Sequence, residues 1–592
     1  MGKISTFDVA KYYDEVVATN IEKNTKEYLD NLFKVDIDKE KLSSLNNAIN
    51  DNQNKINQEN KSFVKSKWFF FLMQVINFFT AISMILAVLY IAGIFNNFLN
   101  NNSSYRPLFI VAIVIAVIGG LFEIGLRIYK SKKIKEIKAI VDPLTDKLNK
   151  DIYSARKILS PITNKFNRVH AYDLLEKSFK ELKLKTQFTD LDVNYFQENV
   201  TTNENESSFS MICGNTFTNP FLFHTKKIFR MGEKTWTGTT TKSFYVNGEW
   251  ETVVITAQLT KPHPYYNNLS VFNLASNNFN DLEFKFEKSF KHENEVKHFY
   301  KKHPNQRRME NSEFDRLFPA VRNDEILFRS LFTIYTQEDM VRNAERFKFI
   351  NNLTYFKNTG KLFQIHMDSD INNLAIAFNA NSFNQTDVNS LYSDYTNTLK
   401  QTMFSLYQYM SPLFSSSIIQ QEIFLPVKTY KKYQYLNNLN LEHFLNSNAN
   451  HIKFLHGATS DAMYDGLVKF ELLENKKTYE TYLMHVSSYG ANQKTEEVMG
   501  YGGGHSALVP VTYLEFYPLV NTFPAIYTTI DENLDLTSYL TDIEPHPIVS
   551  KYKLLALVVS CYQVLIILQD KKQLQQLDIA SVINEIKHSF KK

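Results

Sequence analysis

Two apolar runs stand out near the start of the chain: residues 68–95 contain no charge, and residues 108–126 contain only Glu123. At 1.5 Å per residue the first is about 42 Å long as a helix, more than the roughly 30 Å of a bilayer's hydrocarbon core. The pattern predicts a transmembrane helical hairpin over 67–129, with spans at 68–95 and 107–128. Ala112, Ala116 and Gly120 put small side chains on one face of the second helix, where a neighbouring backbone can approach closely. Lys61, Lys65 and Lys67 precede the pair and Arg127, Lys130, Lys132, Lys133, Lys135 and Lys138 follow it, against Arg106 alone in the connection. By the positive-inside rule this predicts a multi-pass protein of the cell membrane with both termini cytoplasmic. Arg127, four residues beyond Glu123, is expected to pair with it at the membrane boundary, which is favoured over an ion pathway.

The flanking segments, 1–66 and 130–187, read as two helical arms. Leu42, Leu45, Ile49, Ile56 and Phe63 follow heptad-like spacing, as do Ile134, Ile137, Val141, Leu144 and Leu148, so the arms are expected to pair as a coiled-coil stalk or to pack as ordinary amphipathic helices. Asp142-Pro143 and Ser160-Pro161 are helix-start pairs that predict a break or a kink of the second arm at each.

Downstream the hydrophobic period shortens from helical to two. Residues 236–245 and 250–260 flank Val246-Asn247-Gly248-Glu249, a hairpin signal, because Asn-Gly readily adopts the positive φ of a tight turn. Strand-like pieces follow at 269–274 and 282–290, then helical patterning at 313–317 and 337–349. Leu391, Tyr392, Tyr395, Leu399, Met403, Leu406 and Met410 form the core-facing stripe of a helix. Beyond it, 468–473 and 478–486 are strand-like, 554–568 reads as a buried helix too short to span a membrane, and 573–592 as an amphipathic helix. The class is α+β: an N-terminal transmembrane hairpin with a helical stalk, an α+β domain at 188–384, and a helical and α+β region at 385–592, all cytoplasmic beyond the anchor.

Composition narrows this little. The 592 residues carry 66 Lys and Arg against 62 Asp and Glu, a net charge of +4, which is no nucleic-acid-binding field. Cys213 and Cys561, far apart, suit a reducing compartment better than a disulfide framework. Much Asn, Lys, Ile, Phe and Tyr beside 17 Gly and 15 Pro matches the codon bias of an AT-rich bacterial genome.

Each candidate chemistry lacks a part. Gly500-Tyr501-Gly502-Gly503-Gly504-His505 is Gly-rich, but no Lys-Ser/Thr pair or helix follows, so it is expected to turn between strands. His292-Glu293 resembles the start of a zinc helix, yet position 296 is Val296 and His298 faces elsewhere. His443, His451 and His456 have no cysteine pair or carboxylate at ligand spacing. Lys301-Lys302-His303 with Arg307-Arg308 is a small basic patch, expected to be a solvated loop. No catalytic, cofactor-binding or metal-binding residue is assigned.

The order of elements from Lys130 to Phe383 carries a resemblance. It comprises the strand ending Phe209 to Cys213, the hairpin strand Glu251-Thr252-Val253-Val254-Ile255-Thr256, and then Ser312-Glu313-Phe314-Asp315-Arg316-Leu317-Phe318. Asn323-Asp324-Glu325, Leu331-Phe332-Thr333 and strand-like sequence near 360–378 complete it. This resembles the uncharacterised bacterial two-helix membrane family called domain of unknown function 3137, with a departure at Pro319-Ala320 where the family pattern has Val-Tyr-Ser. The resemblance implies two transmembrane helices and a cytoplasmic α+β domain, and no site residues.

The expected function is therefore a membrane-anchored cytoplasmic binding or scaffold protein, its partners the lipid bilayer and another protein or a second copy, with no nucleic acid. The alternatives are a membrane-tethered enzyme, possibly a hydrolase using residues such as His505, and an accessory subunit of a transporter that uses Glu123.

Overall fold

A computed structural model describes residues 8–32, 34, 37–59, 61, 106–163, 165–166, 168–186, 188–200, 202–246, 248–348, 350, 353–367, 385–426, 436–446, 466–529, 539–540, 547–560 and 563–589, without the side chains of 106–131 and of some other positions. The chain divides into two units: Asp36–Ser160 with Asn384–Leu391, and the remainder, Met1–Val35, Pro161–Phe383 and Tyr392–Lys592.

The smaller unit is helical. Residues 39–59 form one helix, preceded in the chain by α1 (Ala18–Leu32) of the larger unit, and most of the 58-residue α2 (Arg106–Thr163) forms the other. Leu42 and Ile49 of the expected stripe are buried, and Asn52 donates to Asp151 of α2 at 3.1 Å. The helix is not broken at Pro143 or Pro161: both residues lie within α2. Each proline removes one backbone donor, but the cooperative ladder on either side carries a long helix through, and beside Pro143 the Thr145 hydroxyl donates to Val141 O at 2.8 Å.

Among the described residues no helix is long and apolar enough to cross a membrane, and the expected multi-pass placement with its transmembrane hairpin is corrected on that finding. Residues 68–95 lie outside the described residues, as do the side chains of 107–128, whose backbone belongs to α2. Apolar length is a condition for spanning a bilayer and does not by itself establish it, because a long apolar run also suits burial against protein.

Among the described residues, the larger unit is built on one antiparallel sheet of 14 strands. Helix α3 (Arg168–Ser178), β1 (Leu182–Lys185) and α4 (Asp190–Val200) lead into β2 (Glu206–Thr216), followed by two strands of 28 and 27 residues, β3 (Asn219–Val246) and β4 (Glu249–Ala275). After β5 (Phe284–Phe286) come α5 (Glu293–Lys302), α6 (Ser312–Leu317), β6 (Ala320–Arg322), α7 (Glu325–Leu331) and α8 (Ile334–Arg346). The hairpin of β7 (Leu353–Lys357) and β8 (Leu362–Met367) then returns to β4. Helix α9 (Val388–Phe414) carries the expected stripe, with Tyr395, Leu399, Met403, Leu406 and Met410 buried; α10 (Ser417–Gln421) and α11 (Leu436–Asn446) follow.

The second half repeats the strand path. β9 (Gly466–Asn475) pairs with β10 (Glu480–Gly502), which pairs with β11 (His505–Thr529). Past β12 (Tyr539–Leu540) and α12 (Pro547–Tyr552), the hairpin of β13 (Ala556–Ser560) and β14 (Gln563–Ile567) returns to β11. The orders β2-β3-β4-β8-β7 and β9-β10-β11-β14-β13 are the same antiparallel walk: a short strand, two long ones, then a short hairpin docked through its second strand.

Residues 554–568 are thus a hairpin and not the expected buried helix. Both faces of these strands are packed: Val558 and Leu565 against α11, Leu557, Val564 and Ile566 against α12 and the C-terminal helix. A strand buried on both sides reads as a continuous apolar run, which periodicity cannot tell from a helix. The expected C-terminal helix is two, α13 (Lys571–Gln576) and α14 (Ile579–Ser589), with Asp578 accepting from Ser581 N at 3.3 Å at the start of the second. The first half is packed chiefly by aromatic rings: Phe284, Phe286, Phe314, Phe328, Phe332 and Tyr355 meet edge to face or tilted around β5.

Candidate functional site

The long strands extend past the body of the sheet as two ribbons. Their turns are set by glycine: Gly248 at φ +93° closes β3 to β4, and Gly503 at +55° with Gly504 at +83° closes β10 to β11, conformations that residues with a Cβ rarely adopt. Asn247 lies outside the described residues, and the Gly-rich segment 500–504 is the strand turn that its sequence predicts.

The ribbons stack face to face. Alternation along each strand puts Ile255, Ala257 and Leu259 of β4, with Trp236 and Phe244 of β3, on one inner face, and Val498, Ala507, Val509 and Val511 on the other. Three glycines let the backbones meet. A Cβ on Gly238 would lie 2.5 Å from Pro510 O, one on Gly500 2.7 Å from Thr256 O, and one on Gly502 2.2 Å from Val254 O. Phe229 stacks on Tyr489 at 5.4 Å, Phe244 on His505 at 4.2 Å, and Lys261 bridges to Glu496 at 2.7 Å. The result is a four-stranded arm with a thin apolar seam.

Its outer surface is unlike its seam. Thr235, Thr237, Thr239, Thr241 and Ser243 form an exposed hydroxyl row on β3, with Thr235 and Thr260 at 2.9 Å and Ser243 and Thr252 at 2.9 Å across to β4. Toward the end of the ribbon this row gives way to large apolar groups. Tyr245 is 64% exposed and Trp250 72%, their rings 5.4 Å apart, and Val254 on the same outer face is 59% exposed. Single exposed apolar residues are ordinary, whereas two aromatic rings and a valine on one face of a projecting ribbon are the composition of a recognition surface.

Elsewhere several titratable groups are enclosed. Ser208 Oγ lies 3.0 Å from His224 Nε2, and Glu442 of α11 accepts from Ser208 N at 2.9 Å, a pairing that suggests a nucleophile and its base. Ser208 is 0% exposed and His224 1%, so no substrate reaches them. Burial raises the Glu442 carboxyl and lowers the Lys469 ammonium although the two approach to 3.4 Å. His443 accepts from Met211 N at 3.1 Å and fastens α11 to β2. Asp315 is likewise held by Tyr300 at 2.5 Å and by Met309 N at 3.1 Å, its carboxyl raised by burial.

The remaining residues singled out in the sequence fall into ordinary places. His292 is the N-cap residue of α5, and Glu295 reaches back to accept from its backbone N at 3.5 Å. Arg308 of the basic patch bonds Glu293 at 2.6 Å. Cys213 is buried beside α4, while Cys561, His451 and His456 lie outside the described residues, as does the side chain of Glu123. Among the described residues no group of three His, Cys, Asp or Glu side chains is placed to hold a metal. A shallow polar cleft of about 390 Å³ lies at the β9–β10 turn, lined by Lys476, Lys477, Glu480 and Gln563 among others.

The sequence identified the hairpin but not the pairing of two hairpins into an arm; the alternation of Thr with Trp and Gly at 235–243 was the available signal. Compared with known proteins, the chain matches no family model, no curated protein and no solved structure.

Proposed function

We propose that this chain is a binding protein, a scaffold for another protein, and that the double-ribbon arm is the part that engages the partner. The observation that carries this reading is the exposed Tyr245–Trp250 pair with Val254 at the end of a stiffened ribbon. Rigid, amphipathic aromatic groups give large contact area at little cost in side-chain entropy, and they dominate the energetics of protein interfaces. The four-stranded seam holds them at a fixed place. The resemblance to domain of unknown function 3137 brings no residue roles, so it leaves this reading resting on geometry. An enzyme built on His505 draws no support from the site, where that ring is stacked on Phe244.

The test is site-specific photo-crosslinking in the cells that make the protein, with the reactive residue placed at Trp250 and, as a control, at Lys477. A protein captured from position 250 and not from 477, and lost when Tyr245 is changed to Ala, supports the proposal. The same capture from both positions, or none from either, overturns it.

A further inference from the structure

Of the four strands of the two ribbons, β4 and β10 meet edge to edge at Thr256 and Tyr501, and β4, β10 and β11 carry residues that guard their remaining edges against pairing with another chain. In a hairpin closed by a two-residue turn, the residues flanking the turn exchange both hydrogen bonds, so alternate residues from there send N–H and C=O outward. For β4 and β11 the outward positions are the even ones, and Pro262 and Pro264 occupy them on β4, Pro510, Pro518 and Pro524 on β11. Proline has no N–H to offer, and its placement there blunts an edge. On β10, Lys494, Glu496 and Glu497 charge the segment beyond its pairing with β9.

β3 has no such device. Among the described residues no strand pairs with its outer edge beyond Ile228, and from Thr235 to Tyr245 it contains no proline and, as its only charge, Lys242. The outward N–H groups belong to the odd positions, the hydroxyl row itself.

We infer that this edge pairs antiparallel with the same edge of a second copy of the chain, in a register centred on Thr239. The sequence is complementary to itself in that register. Thr239 faces its mate, Thr237 faces Thr241, and Thr235 faces Ser243, so hydroxyl meets hydroxyl along the outer face. On the seam-facing side Lys242 lies opposite Trp236 and Lys234 opposite Phe244, so no two lysines meet. Moving the centre of the register by one residue, from Thr239 to Gly238, sets Lys234 against Lys242, and like charges directly opposite repel. The pairing joins two arms into a continuous ribbon and is independent of what Tyr245 and Trp250 bind.

Sedimentation velocity of the full chain over a range of concentrations tests it, with two double variants on the exposed row. Thr237→Lys with Thr241→Lys sets lysine against lysine at both symmetry-related pairs and is expected to weaken self-association by at least about tenfold. Thr237→Lys with Thr241→Glu sets lysine against glutamate at the same two pairs and is expected to associate as the unaltered chain does. All three should share one thermal transition, since both side chains are exposed and face Gln258 and Val254 across the ribbon. A chain that stays monomeric at every concentration overturns the pairing, as does a dilysine variant that dimerises as tightly as the original. Equal loss in both variants overturns the register. Crosslinking at position 250 reads a foreign protein and this experiment reads the mass of like copies, so failure of one proposal is distinguishable from failure of the other.

Discussion

Glu422 sits where the β2–β3 turn, the end of β4 and the end of α10 converge, and its carboxylate is buried among donors. It accepts from Asn219 Nδ2 at 2.9 Å, Ser276 Oγ at 2.5 Å and Asn277 N at 2.5 Å. Replacing it with Ala strands three donors, and we expect a loss of about 3 kcal/mol in chemical denaturation with an unchanged slope. Lys357 is the opposite case, a buried cation in a cage of carbonyls from Leu282, Asn358 and Gly360 at 3.2, 3.2 and 2.6 Å. Burial outweighs the cage and pushes its ammonium down to about 8. Below that pH the folded and unfolded chains are both protonated and the cost of burying the charge is fully present. As pH rises from about 8 toward the ordinary lysine range, the unfolded chain holds the extra proton and stability at this site increases, by up to about 3 kcal/mol. The difference in unfolding free energy between the original chain and Lys357→Met, measured against pH, should show that rise and no corresponding change below pH 7. Neither residue was singled out in the sequence, because a lone Glu or Lys acquires its environment from segments far away along the chain.

The ribbons are elements whose ends are local and whose association is not. Asn247-Gly248 identified one hairpin in the sequence, since positive φ is a property of the residues at the turn themselves. The seam between ribbons depends on Gly238, Gly500 and Gly502, whose spacing carries no message until the facing backbone is known. Gly502→Ala places a methyl group 2.2 Å from Val254 O, backbone that cannot swing aside, and should part the two ribbon ends. Hydrogen exchange at residues 498–511 is expected to accelerate strongly while β13 and β14 stay protected. Gly248→Ala, with nothing within 4 Å of its Cβ, should cost only the strain of its positive φ, about 1 kcal/mol, and leave the seam closed.

Across the whole larger unit, two similar walks share one sheet, and α11 stitches them. Its Glu442 and His443 reach Ser208 and Met211 in the first walk, while Leu441, Phe444 and Leu445 pack on Val468, Phe470 and Tyr482 in the second. Cutting this stitch should uncouple the halves. Leu441→Ala with Leu445→Ala is expected to split a single calorimetric transition of the unit into two, whereas Val582→Ala, in the separate cluster beneath β14, should lower stability without splitting it. The repeated walk itself was invisible in the sequence, because repetition of strand order constrains which edges meet and not which residues occupy them.

The sequence alone determined what depends on neighbours within a turn or two: the α+β class, the turns at 247–248 and 503–504, and the apolar stripe of α9 from Tyr395 to Met410. Tertiary structure decided everything that turns on what a segment is packed against. The run 554–568 has the apolar length of a helix and became a hairpin because β11 offered it an edge and helices covered both its faces. Apolar length likewise suggested membrane spans, yet no described helix meets the requirements of one. The arm arose in the same way: hydrophobic burial has no direction of its own, and only the facing ribbon tells Ile255 from Val254, one closed in the seam and the other exposed.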